Sequence, residues 1–276
     1  MGSHLLLKDK MNEPRKKFKI VTDKSARVIL PNTLTLIGVC IGLTSINFAL
    51  NQNFKLAIVA IVCAAIIDGL DGRIARLIKG TSKVGKELDS LTDIISFGVA
   101  PAFIMYFWTL NALGKIGWLI SLIYVVCVAL RLARFNVNTG GEPSWRDNFF
   151  QGVPSPAGGI LVLSPLVYEQ SGLNVFNYNI ELITPILFII VSILLISKIP
   201  TYSFKKIVVP RSTTIFLLLG IVLLFGLLLI FPFNVISIGS LIYLLAIPFS
   251  IFHYQKLKKG SLSNKISAED EPEDML

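Results

Sequence analysis

Long apolar runs separated by short polar and basic stretches make up most of the chain. A helix crossing the hydrocarbon core needs roughly 20 mostly apolar residues. Runs of about that length fall at residues 32–50, 54–78, 85–110, 116–135, 156–173, 182–197, 212–230 and 235–254. The pattern predicts an all-α, polytopic membrane protein of about eight transmembrane helices. The fifth run is the weakest, being short and rich in Gly and Pro at its start. A basic segment, residues 1–30, precedes the membrane region at 31–257, and a polar tail, 258–276, follows it. The tail ends in Glu269, Asp270, Glu271, Glu273 and Asp274, which predicts a solvated, unstructured segment. Met1 to His4 reads as an expression-vector remnant and carries no weight here.

Composition agrees: 53% of the 276 residues are hydrophobic and 16% charged, too little charge for a soluble domain of this length. The net charge of +9 points to topology and not to nucleic acid, because its position is systematic. All of the 26 Lys and Arg except Lys55 and Lys115 fall in the N-terminal segment, the tail, or the connections after the second, fourth and sixth runs. Cytoplasmic loops carry such an excess, so both ends and these connections are expected to be cytoplasmic. That requires an even number of spans. Cys40, Cys63 and Cys127 lie inside apolar runs without framework spacing and are expected to be ordinary buried thiols.

Four carboxylates break this pattern. Asp68 and Asp71 are three residues apart near the end of the second run, and Asp89 and Asp93 are four apart near the start of the third. Either spacing puts a pair on one helical face, and a short connection makes the two helices antiparallel neighbours. An aspartate at a bilayer centre costs about 3 kcal/mol, and four together repel, so the cluster calls for compensating cations. Carboxylate oxygens suit hard divalent ions such as Mg²⁺, Mn²⁺ or Ca²⁺. Small residues at Gly69, Gly72 and Ala75 allow close approach of a ligand. Arg76 suits a phosphate, because its guanidinium forms paired hydrogen bonds. Such a site fits phosphoryl chemistry on an amphiphile. Simple ion pairing with Arg73 and Arg76, or a transported cation, are the competing readings. A transporter predicts carboxylates nearer the midplane and a repeated half.

The spacing Asp68-x2-Asp71-Gly72-x2-Ala75-Arg76-x8-Gly85-x3-Asp89-x3-Asp93 resembles the signature of the CDP-alcohol phosphatidyltransferase family, with every fixed position met. The resemblance implies displacement of CMP from a CDP-linked lipid by an alcohol. It further implies that Asp68, Asp71 and Asp89 ligate divalent metal, that Asp93 is the general base and a further ligand, and that Gly72, Arg76 and Gly85 hold the CDP moiety. A six-span core and a homodimer are implied too. Asn32, at the start of the first run, either caps that helix or touches the nucleotide.

Over residues 28 to 210 the chain also resembles the bacterial branch of that family that uses serine. The stretches are Pro31–Thr35, Leu88–Leu91, Ser96–Pro101, Arg131–Asn136 and Phe150–Pro156. This implies CDP-diacylglycerol and L-serine as substrates, in the bacterial inner membrane with a cytoplasmic site. Arg131 or Arg134 is expected to meet the serine carboxylate, with Asn136 and Gln151 beside it, unless the two arginines only mark the cytoplasmic interface. The Gln-Gly-x-Pro-x-Pro stretch predicts non-helical backbone lining a cavity. Lys205 either touches lipid phosphate or marks the cytoplasmic side. Choline, a cation, would prefer an aromatic cage, and glycerol phosphate a denser basic pocket.

Overall fold

The computed structural model describes residues 23–78, 82–137, 149–173, 179–202 and 211–269. Residues 1–22, Lys79, Thr81, Arg146, Lys205 and the acidic end 270–276 lie outside them. Helical rods stand at each of the eight expected places: α1 (Asp23–Leu50), α2 (Phe54–Leu77), α3 (Lys83–Asp93) continuing through a π-helical segment (Ile94–Val99) into α4 (Ala100–Trp108), α5 (Lys115–Val137), α6 (Ser155–Ser171), α7 (Ile180–Ile196), α8 (Arg211–Ile230) and α9 (Pro232–Glu269).

Among the described residues, four stretches are long and apolar enough to cross a membrane, namely Ile29–Leu50, Lys83–Trp108, Lys115–Val137 and Pro232–Gln255. Ile180–Ile196 and Thr214–Ile230 are apolar but shorter. Outward-facing apolar side chains are plentiful: Ile215, Phe216, Leu218, Leu219, Leu245, Phe249 and Phe252 are all exposed. In water such a surface would drive association, whereas hydrocarbon accepts it. The protein is integral to the membrane.

Two boundaries differ from the sequence pattern, and two connections carry strands. Helix α1 starts at Asp23, so Pro31 and Asn32 lie inside it, and Asn32 is not its N-cap. Helix α9 runs on to Glu269, past the expected end of the membrane region at 257. The connections after α5 and α7 each contribute a short strand, β1 (Phe149–Gln151) and β2 (Pro200–Tyr202), which pair antiparallel with Gln151 opposite Pro200. This ribbon ties two basic connections to one end of the bundle. Lys86 Nζ donates to the Asn136 carbonyl at 3.4 Å, so the start of α3 and the end of α5 share that end.

Cys40 and Cys63 are exposed and only Cys127 is buried, which corrects the expectation for two of the thiols. An apolar run that spans a membrane has a lipid face as well as a core face, and these two occupy the former.

The π-helical segment has a local cause. Pro101 has no N–H, so the carbonyl four residues back, on Phe97, has no α-helical donor. The chain rewinds, with the Ala100 N–H reaching the Ile95 carbonyl five residues back. The buried Tyr124 hydroxyl on α5 donates to the Phe97 carbonyl at 2.7 Å. A buried carbonyl left unpaired costs about 1–3 kcal/mol, so this bond fixes α5 against the segment. Helix α1 crosses the same segment closely: a Cβ on Gly42 would lie 3.1 Å from the Ser96 Cα. The core around it includes Phe97, Ile104, Met105, Val128, Leu161, Leu166 and Phe188. Asp93 immediately precedes the segment, so this packing sets where its carboxylate sits.

Candidate active site at one end of the bundle

The four aspartates arrive on two helices, as their spacing predicts. Oxygens of Asp68, Asp71 and Asp89 lie within 4.8 Å of one another. Asp71 is buried, and the Thr35 hydroxyl on α1 donates to its Oδ2 at 2.7 Å. Asp93 adjoins Asp68 and is buried, its Oδ1 without a hydrogen-bond partner among the described residues. A buried carboxylate oxygen left bare is expensive, and a cation or a substrate proton would relieve it. The donor set is all oxygen and the three carboxylates already converge, so these residues fit a hard divalent ion.

The flanking glycines divide into two kinds. A Cβ on Gly72 would meet nothing within 4 Å among the described residues, so the space beside it is open to them. The Arg76 guanidinium on the same helix is exposed, with its Nε donating to the Gly72 carbonyl at 2.9 Å. Gly85 is crowded instead: a Cβ there would lie 2.8 Å from Asn32 Oδ1 and 3.0 Å from Ser82 Oγ. Ser82 caps α3, accepting from the Gly85 N–H at 2.9 Å. Asn32 and Gly85, from distant parts of the chain, therefore meet where α3 begins.

The four residues expected to bind the acceptor part company. Arg131 on α5 lies within electrostatic reach of Asp93, and its Nη1 donates to the buried Ser155 hydroxyl at the start of α6. Its Nε is buried with no hydrogen-bond partner among the described residues. Arg134, one turn on, donates from Nη1 to the Ile196 carbonyl at 2.5 Å. It thereby caps the C-terminal end of α7. Asn136 Nδ2 donates to Ser90 Oγ at 2.9 Å, bracing α5 on α3. Gln151 is exposed on the ribbon. Of these four, Arg131 is the one found within electrostatic reach of an aspartate, Asp93.

The expected irregular backbone is present between Gln151 and Pro154, and Pro156 falls in the first turn of α6. Gly152 has φ +77°, and a Cβ on it would lie 2.8 Å from the Leu195 carbonyl, so both its conformation and its contact exclude a side chain. Its N–H donates to the Ile199 carbonyl at 2.8 Å. This seats the start of α6, and so Ser155, against the end of α7.

Two partners escaped the sequence reading, Thr35 and Ser155. Both lie in stretches that carry the family resemblance, yet neither is an unusual residue for its place. Only the folded contact marks them.

The CDP-alcohol phosphatidyltransferase profile matches residues 28–196, more than half of the chain and all of the site described above. The chain belongs to the CDP-alcohol phosphatidyltransferase family. Its similar proteins include the CDP-diacylglycerol–serine O-phosphatidyltransferase of Mycobacterium leprae, 40% identical over 83% of this chain and 76% of that protein. That of Helicobacter pylori is 35% identical over 79% of this chain and 88% of its own length. An archaetidylserine synthase from Methanothermobacter thermautotrophicus is 33% identical over 62% of this chain and 69% of its own. Family membership sets aside the transporter reading of the acidic cluster, since members are transferases.

Proposed function

We propose that this enzyme transfers the phosphatidyl group of CDP-diacylglycerol to the hydroxyl of L-serine, giving phosphatidylserine and CMP. The observation that carries the choice of acceptor is Arg131: a guanidinium whose buried Nε has no hydrogen-bond partner among the described residues, within electrostatic reach of Asp93 and outside the three-carboxylate cluster. A zwitterionic alcohol fits both groups, its carboxylate toward Arg131 and its hydroxyl toward Asp93. Choline would place a cation against a buried cation, and glycerol phosphate would need more than one arginine here. The serine-transferring relatives support the same reading.

Asp68, Asp71 and Asp89 would hold divalent metal, Mg²⁺ or Mn²⁺ with Ca²⁺ as the alternative, and Asp93 would complete the set. When bound, one or two such ions neutralise the diphosphate and stabilise charge on the departing CMP. Thr35 orients the Asp71 carboxylate by its hydrogen bond. The open space at Gly72 admits the nucleotide, and Arg76 exchanges its internal bond for a donor phosphate oxygen. Asn32 and Gly85 hold the start of α3 against the cytidine side.

Asp93 accepts the proton as the serine oxygen bonds to the phosphorus that carries diacylglycerol. The bond from that phosphorus to the CMP oxygen breaks, and CMP leaves with the electron pair. A positioned general base of this kind is worth about 10² to 10⁴ in rate. The basic connections support an orientation with this end toward the cytoplasm of a bacterial inner membrane, across eight spans. A homodimer follows the family pattern.

The test is CMP release from CDP-diacylglycerol with L-serine, choline or glycerol 3-phosphate as sole acceptor. Serine alone should support it, with Asp93→Asn retaining donor binding and losing turnover. Release driven by another acceptor, or normal turnover by Asp93→Asn, would refute the assignment. Replacing the donor by an archaeal ether lipid in the same assay reports which lipid is used.

A further inference from the structure

Helix α9 begins at Pro232, well past the segment 28–196 that carries the family match, yet it reaches the site. It packs on α6 and on the ribbon strand β2. Among its inward residues is Tyr243, whose hydroxyl adjoins the side chain of Thr201 and lies within electrostatic reach of Arg131. No hydrogen bond of ordinary geometry reaches that hydroxyl among the described residues, although it is buried. Thr201 is already engaged, donating to the Gly152 carbonyl at 2.8 Å.

Among the described residues, Arg131 Nε, Asp93 Oδ1 and the Tyr243 hydroxyl are buried with no hydrogen bond of ordinary geometry, and Asp93 and Tyr243 both lie within electrostatic reach of Arg131. Native interiors leave few such groups, and each one asks for an explanation. Ser155 occupies Nη1, leaving the side edge of the guanidinium, which includes Nε, for a two-point contact with a carboxylate. A carboxylate has more lone pairs than that edge can fill, and the phenol supplies one further donor.

We infer that α9 closes the acceptor pocket and that Tyr243 is a specificity residue, its hydroxyl donating to the carboxylate of the amino-acid acceptor bound on Arg131. This rests on the serine reading above and adds a wall and a contact from outside the family-matched segment. Because α9 holds none of the four aspartates, its contribution is to acceptor affinity and not to the chemical step.

The experiment compares wild type, Tyr243→Phe and Tyr243→Leu in CMP-release kinetics, varying L-serine, CDP-diacylglycerol and, separately, serinamide, which keeps the hydroxyl and amine but has no carboxylate. Tyr243→Phe removes one oxygen and keeps the packing. It should raise the KM for L-serine about tenfold or more, as expected for a lost hydrogen bond to a charged group. Its kcat and its KM for CDP-diacylglycerol should stay within twofold of wild type, which also reports correct folding. The wild-type preference for serine over serinamide should shrink by the same factor. An unchanged serine KM in Tyr243→Phe overturns the inference, as does an equal rise for serinamide or for CDP-diacylglycerol. Wild-type enzyme that releases CMP without regard to serine would instead overturn the serine reading on which it stands.

Discussion

Replacing Gly72 with alanine separates the two jobs a glycine can have in this motif. A Cβ there meets no atom of the described residues within 4 Å, so their packing has nothing to lose. Inside a helix, alanine is favoured over glycine by about 1 kcal/mol. For a chain of this size that is worth about 2–4 °C in Tm. The variant should therefore melt at the wild-type temperature or slightly above it. Activity should move the other way. The methyl extends about 1.5 Å into the open space, where the nucleotide is proposed to lie, and a displacement of about 1 Å at a reacting centre costs about 100-fold. CMP release in mixed micelles at saturating serine should show kcat/KM for CDP-diacylglycerol down by about two orders of magnitude. Gly85→Ala provides the contrast. Its methyl would press on Asn32 and on the Ser82 cap, so it should lower both Tm and activity, the cap alone being worth about 1 kcal/mol. If Gly72→Ala keeps the wild-type kcat/KM, the space beside Gly72 is not the donor's, and the reasoning that places the nucleotide there fails.

Two further outcomes follow from single contacts. Thr35→Val removes the donor to Asp71 and should raise the divalent-ion concentration needed for half activity by about 10- to 100-fold, with Thr35→Ser restoring it; an unchanged metal titration would count against the role given to Thr35. Tyr124→Phe leaves the Phe97 carbonyl without its side-chain donor, so a loss of about 1–3 kcal/mol should appear as a lower Tm in detergent, and an unaltered melting curve would show that the π-helical segment does not depend on this bond.

Most of the architecture was legible because each element is announced by a contrast in polarity. The apolar runs and the basic connections located the helical rods, and the Asp68–Asp71 and Asp89–Asp93 spacings placed four carboxylates on two facing helices. What was not legible depends on contacts across the chain. Arg131 and Arg134 are one turn apart and look alike in sequence, yet one turns to Ser155 and Asp93 and the other caps α7. Asn32 looked like a cap because it stands at the start of the first apolar run, but α1 continues back to Asp23 and puts Asn32 opposite Gly85. The π-helical segment did leave a trace, since Pro101 must free the Phe97 carbonyl, although nothing local identifies Tyr124 as the donor that answers it. Tyr243 left none: on a uniformly apolar helix, one tyrosine is as plausible at the lipid face as in the site.

The central claim is that the carboxylates of α2 and α3 act as one binding site for a divalent ion. Electron paramagnetic resonance of Mn²⁺ added to the purified full-length protein tests it without reference to turnover. Wild type should bind the ion and lose the free six-line signal, and Asp68→Asn, Asp71→Asn and Asp89→Asn should each restore that signal at the same concentrations. Mn²⁺ bound equally well by all three variants, or not bound by the wild type with or without CDP-diacylglycerol, would contradict the account.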